Sequence, residues 1–133
     1  MKIALCILVG LYTAAMWAVH IGSGALIRRA WAGRPLLGVL TLRPLLSFEA
    51  GYYVLLLPYA LAAGGPIPRI PLLLFSTLHI GAWVATRLRP QLLATPQGAT
   101  AQRRELIKLV AFDLAESLFL FYVGWRLVSH CPA

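Results

Sequence analysis

Residues 106–128 form an apolar run with two acids, Asp113 and Glu116, near its middle. As a helix rising about 1.5 Å per residue, the run reaches about 34 Å, enough to cross a bilayer. A carboxylate at the centre of such a helix costs roughly 2.5–3.5 kcal/mol on insertion scales. Two of them demand compensation, so the remaining apolar segments are expected to surround these acids.

Those segments are long enough to do so. Of 133 residues 60% are hydrophobic and 12% charged, with a mean hydropathy of +0.79. A soluble domain is closer to 45–50% apolar and about 25% charged. Apolar stretches at 3–27, 44–63, 71–88 and 106–128 predict an all-α membrane protein, a four-transmembrane-helix up-and-down bundle forming one integral membrane domain over residues 1–133. The first stretch exceeds the apolar core of a signal peptide, about 7–15 residues, so it reads as a retained span.

Local signals refine the elements. Gly22-Ser23-Gly24 is a small-residue patch where another helix can approach. Pro44 suits a first helical turn, and Pro58 lies inside the second span, where it opens a backbone hydrogen bond. Residues 28–43 read as a basic connection in the interface with Trp31 at headgroup depth, 64–69 as a tight turn, and 91–102 as a polar loop.

The formal charge of +8 invites a nucleic-acid reading, but the basic residues sit in the gaps between apolar runs. Topology and lipid headgroups account for them, and no nucleic-acid partner is expected. Nine of the twelve basic residues flank the first and third connections: Arg28, Arg29, Arg34, Arg43, Arg87, Arg89, Arg103, Arg104 and Lys108. The positive-inside rule places these in the cytoplasm and both termini on the outer face. Ten Arg against two Lys fits a GC-rich bacterial genome, hence a bacterial inner (cytoplasmic) membrane. Cys6 and Cys131 fall on the same oxidising side, where they form a disulfide or remain two thiols with Cys6 packed as a small hydrophobe. No Cys-x-x-Cys or zinc spacing exists, which removes the thiol oxidoreductases.

The spans carry a polar layer. Three of the four acids, Glu49, Asp113 and Glu116, lie inside them with two of the three histidines, His20 and His79. Counted from the basic rim at about 1.5 Å per residue, all five fall roughly 9–18 Å deep, so one slab can hold them. His20-Ile21-Gly22 with Arg28 recurs as His79-Ile80-Gly81 with Arg87, which sets the imidazoles at equal depth on two parallel helices. Two adjacent carboxylates in low dielectric are expected to share a proton or a cation.

Three functions follow from such a layer. The first is a redox-type membrane subunit. His20 and His79 are then axial ligands of a b-type haem, with Arg28 and Arg87 on its propionates. Alternatively His20, His79, Glu49, Asp113 and Glu116 bind a transition metal, with Asp113 and Glu116 as the proton-handling, catalytic groups. The second is a proton-coupled transporter working as a homo-oligomer. The third is a non-catalytic accessory or anchor subunit whose acids pair with partner membrane subunits. No wider motif assigns the chain to a family.

Overall fold

The computed structural model describes residues 2–34, 41–62 and 67–130. The elements are α1 (Lys2–Ile21), α2 (Ser23–Trp31), α3 (Leu42–Ala62), α4 (Arg69–Leu88) and α5 (Ala99–His130), with a 3-10 turn at Pro90–Leu93. No strand occurs among the described residues. Ile3–Ile21, Leu42–Ala62 and Arg69–Leu88 are each long and apolar enough to cross a membrane. The longest helix, α5 at 32 residues, carries Asp113, Glu116 and Arg126 in its most apolar stretch.

Two boundaries differ from the sequence expectation. The first apolar stretch is not one helix over 3–27, because it breaks at Gly22. A helical glycine costs about 1 kcal/mol relative to alanine. Here the Gly22 carbonyl accepts from both Ala25 and Leu26, at 3.0 and 3.2 Å, which tightens the turn. The gain lies two residues on: a β-carbon at Gly24 would stand 3.2 Å from Val110 Cγ2, so α5 approaches closely there. The polar loop expected at 91–102 is instead largely helical. Gly98 takes a φ of +83°, open to glycine, and α5 starts at Ala99. Gln102 secures this start by donating from its side chain to the Pro96 carbonyl at 3.1 Å.

Pro44 and Pro71 each stand third in their helix, where the amide lacks an intrahelical partner, and Pro58 lies inside α3. The expected turn residues 64–66, Pro35 in the first connection, and Cys131 lie outside the described residues. Cys6, buried on α1, is disulfide-bonded.

Packing follows ring and hydroxyl contacts between helices. On α1, Tyr12 meets Phe48 and Tyr52 of α3 at centroid distances of 4.7 and 5.3 Å, and Trp17 meets Phe121 of α5 at 6.4 Å. On α4, Trp83 donates to Ser47 of α3 at 3.0 Å, and Phe75 lies 5.3 Å from Phe119 of α5. Contacts run Thr13–Gly124, Trp17–Phe121 and His20–Glu116 between α1 and α5. They run Phe75–Phe119 and His79–Glu116 between α4 and α5, and His79–Tyr53 and Trp83–Ser47 between α4 and α3. Hence α4 runs opposite to α3 and α5, and α1 opposite to α5. Val9, Met16, Leu56, Leu120 and Val123 fill the centre with no exposed surface. Leu61, Ile70, Leu118 and Val128 are 70–84% exposed. Contiguous apolar exteriors of this kind suit hydrocarbon rather than water.

Candidate metal centre

His20 ends α1 and His79 lies in α4, and both are turned inward by the same local device. Each Nδ1 bonds the carbonyl one turn back, His20 to Met16 at 2.8 Å and His79 to Phe75 at 3.0 Å. A carbonyl only accepts, so Nδ1 carries a proton, and Nε2 is a lone pair in the neutral ring or a second N–H donor in the imidazolium. The two rings stand 5.6 Å apart, tilted by 55°. They are buried, at 2% and 7% exposure.

Both Nε2 atoms aim at one atom. Glu116 Oε2, on α5, lies 3.1 Å from His20 Nε2 and 3.3 Å from His79 Nε2. Glu116 has no exposed surface, and its Oε2 has no hydrogen-bond donor among the described residues other than these imidazoles. Its other oxygen, Oε1, accepts a short hydrogen bond from the Tyr53 hydroxyl of α3. The tyrosine therefore fixes the carboxylate and leaves Oε2 for the imidazoles. Three unprotonated lone pairs at this spacing would repel one another, so the focus holds either a proton on an imidazole Nε2 or a cation.

One donor atom from each of His20, His79 and Glu116 lies within 4.8 Å of the other two. Ligands about 2.1 Å from a common ion stand about 3.0–3.4 Å apart at octahedral to tetrahedral angles, which both nitrogen–oxygen separations match. Nδ1 bonded to a backbone carbonyl and a carboxylate held by a second hydrogen bond are the outer contacts that metal ligands commonly have.

Asp113 and Glu49 form the margin of this cluster. Asp113 Oδ1 is 4.0 Å from His20 Nε2, and Glu49 Oε2 is 3.9 Å from His79 Nε2. Their side chains keep 16% and 12% exposure, against 0% for Glu116. Ser23, just past the Gly22 break, lines the same cleft as Asp113. All five titratable residues of the expected layer therefore meet at one level. The fourth acid, Glu105, sits apart in solvent, where Lys108 at 3.0 Å holds its carboxyl below the usual range.

Arg28 and Arg87 do not join them. Arg28 is exposed and donates to the Gly24 carbonyl at 3.1 Å, while Arg87 lies over the Trp83 ring at 5.1 Å and donates to Ser47. Each arginine lies eight residues after its histidine in the chain, and local partners hold it away from the cluster. The slot a haem needs between its axial imidazoles is filled by the Glu116 carboxylate. The parallel histidines are thus paired as expected, but around a carboxylate rather than a plane.

Tyr53 is the member of the cluster that sequence reasoning passed over. It stands four residues after Glu49, on the same helix face, and that spacing was the available signal. Behind it Tyr52 bonds the Thr13 hydroxyl at 2.9 Å, and Thr13 passes its own proton to the Val9 carbonyl. No protein-family model, curated protein or solved structure matches the chain.

Proposed function

We propose that this chain is a bacterial inner-membrane protein that binds one divalent first-row transition-metal ion inside the bilayer. It crosses four times as an up-and-down bundle through α1, α3, α4 and α5, as a single domain with both termini on the outer face. The ligands are His20 Nε2, His79 Nε2 and Glu116 Oε2. The observation that carries this reading is the convergence of two buried imidazole Nε2 atoms, each ring held through Nδ1 by a backbone carbonyl, on one buried carboxylate oxygen.

Mixed imidazole and carboxylate donors suit zinc, iron or manganese, and three protein ligands leave positions open for another group. Asp113 and Glu49 stand where they handle protons beside those positions or enter the coordination sphere. An ion bound there also offsets the cost of burying Glu116 in α5, which is why an acid-bearing helix is tolerated as a span. The bound ion gives the subunit Lewis-acid or redox chemistry at a depth that only membrane-soluble molecules reach.

The test is elemental analysis of the detergent-purified protein after exposure to zinc, manganese and ferrous iron, followed by dialysis. About one ion per chain, lost in Glu116→Gln, supports the reading. Metal-free protein, or retention in Glu116→Gln, sinks it. A Soret band would instead revive the haem alternative, which the position of Glu116 argues against.

A second reading rests on the residual exposure of Asp113 and Glu49. Without an ion, the same five groups share protons and form a relay in an oligomeric transporter or accessory subunit. Proton flux into liposomes that is abolished by Asp113→Asn, in metal-free protein, selects that reading.

A further inference from the structure

A cleft of about 150 Å³ reaches the margin of the cluster from the side. Its polar end consists of His20, Ser23, Glu49 and Asp113. Its walls are apolar, with Leu26 and Ile27 of α2, Leu45 and Leu46 of α3, and Leu109 of α5. On all three helices these apolar positions lie towards the basic rim from the titratable ones. The cleft therefore descends from the Asp113 level, and at its edge Leu109 is 42% exposed.

The geometry points to a binding site for the phenolic ring of a membrane-soluble molecule, such as a hydroquinone head group. Its hydroxyl donates to Asp113 or Glu49, and its apolar tail leaves past Leu109. The size argument is direct, because an apolar protein cavity of about 150 Å³ holds one benzene ring. The chemistry of the polar end selects the hydroxyl. An anionic head meets three carboxylates, Glu49, Asp113 and Glu116, and is repelled. A free hydrated cation must shed its water to pass leucine walls. A plain hydrocarbon strips water from Asp113 and Glu49 and returns no hydrogen bond. A neutral donor on an apolar ring meets every constraint.

This inference goes beyond the metal reading and is tested separately, because the apolar walls that shape the cleft, Leu26, Ile27, Leu45, Leu46 and Leu109, hold no metal ligand. The experiment follows thermal unfolding of the full chain in detergent with 4-ethylphenol, ethylbenzene and 4-ethylbenzoate, alongside metal content. The expected result is a rise in Tm of several degrees with 4-ethylphenol near saturation, with little or no rise from the other two. Leu46→Trp fills the cleft and abolishes the phenol shift while leaving metal content unchanged. Asp113→Leu weakens the phenol about ten-fold or more through the lost charged acceptor. An equal shift from ethylbenzene means a mere apolar hole and overturns the proposal, as does an undiminished shift in Leu46→Trp. Metal without phenol binding overturns this inference alone, and phenol binding without metal overturns only the metal reading.

Discussion

The inner three groups and the outer pair of the polar layer are built from the same residue types, yet they are held very differently. His20, His79 and Glu116 are each fixed by a second contact: a carbonyl one helical turn back for each imidazole, and Tyr53 for the carboxylate. Asp113 approaches His20 at 4.0 Å and Glu49 stands 3.9 Å from His79, and neither carboxylate has a hydrogen bond of that orienting kind among the described residues. Burial follows the same division. In the proposed centre, what separates a ligand from a bystander is the contact behind the group, because an orienting partner removes the rotamer freedom that binding would otherwise have to freeze.

The largest expected effect breaks that contrast if it is absent. Glu116→Gln keeps the shape but loses the charge, and metal affinity in competition titrations falls by more than about 100-fold. His20→Ala and His79→Ala each cost a comparable factor. Because the three act as one site, the double variant costs far less than the product of the single losses. Additive losses would mean two independent histidines.

Tyr53→Phe tests the contact behind the carboxylate. Affinity falls about 10- to 100-fold while the number of ions per chain stays the same. An unchanged affinity would show that the hydrogen bond to Glu116 orients nothing. Asp113→Asn and Glu49→Gln are expected to cost only about three- to ten-fold, since a carboxylate that attracts an ion without touching it acts through charge alone. Losses as large as that of Glu116→Gln would erase the distinction between inner and outer groups. The smallest effect is Tyr52→Phe, which removes the bond to Thr13. It costs about 0.5–1.5 kcal/mol in unfolding free energy and leaves metal content untouched.

Much of this site was legible along the chain. Acids and histidines are rare inside apolar runs, and counting from Arg28, Arg43, Arg87 and Arg104 placed five of them at one depth. Depth along a helix is fixed by the rise per residue, so it survives folding. Rotation about the helix axis is not fixed that way, and it separates Glu116 at the focus from Asp113 at the edge. The arginines mislead for a related reason. Their spacing from the histidines repeats, but long exposed side chains settle on local partners, Gly24 for Arg28 and Trp83 for Arg87.

The sequence by itself determined the helical, membrane-suited character and the level of the polar layer, because hydropathy and axial rise are local properties. The break at Gly22 was present in it only as a small-residue patch, and its use became visible once α5 packed on Gly24. Tertiary structure alone decided that two imidazoles from α1 and α4 meet a carboxylate from α5 held by a tyrosine from α3. That meeting depends on how four helices turn their faces to one another. Such rotation is set by packing between residues remote in sequence, such as Phe75 with Phe119 and Tyr12 with Tyr52.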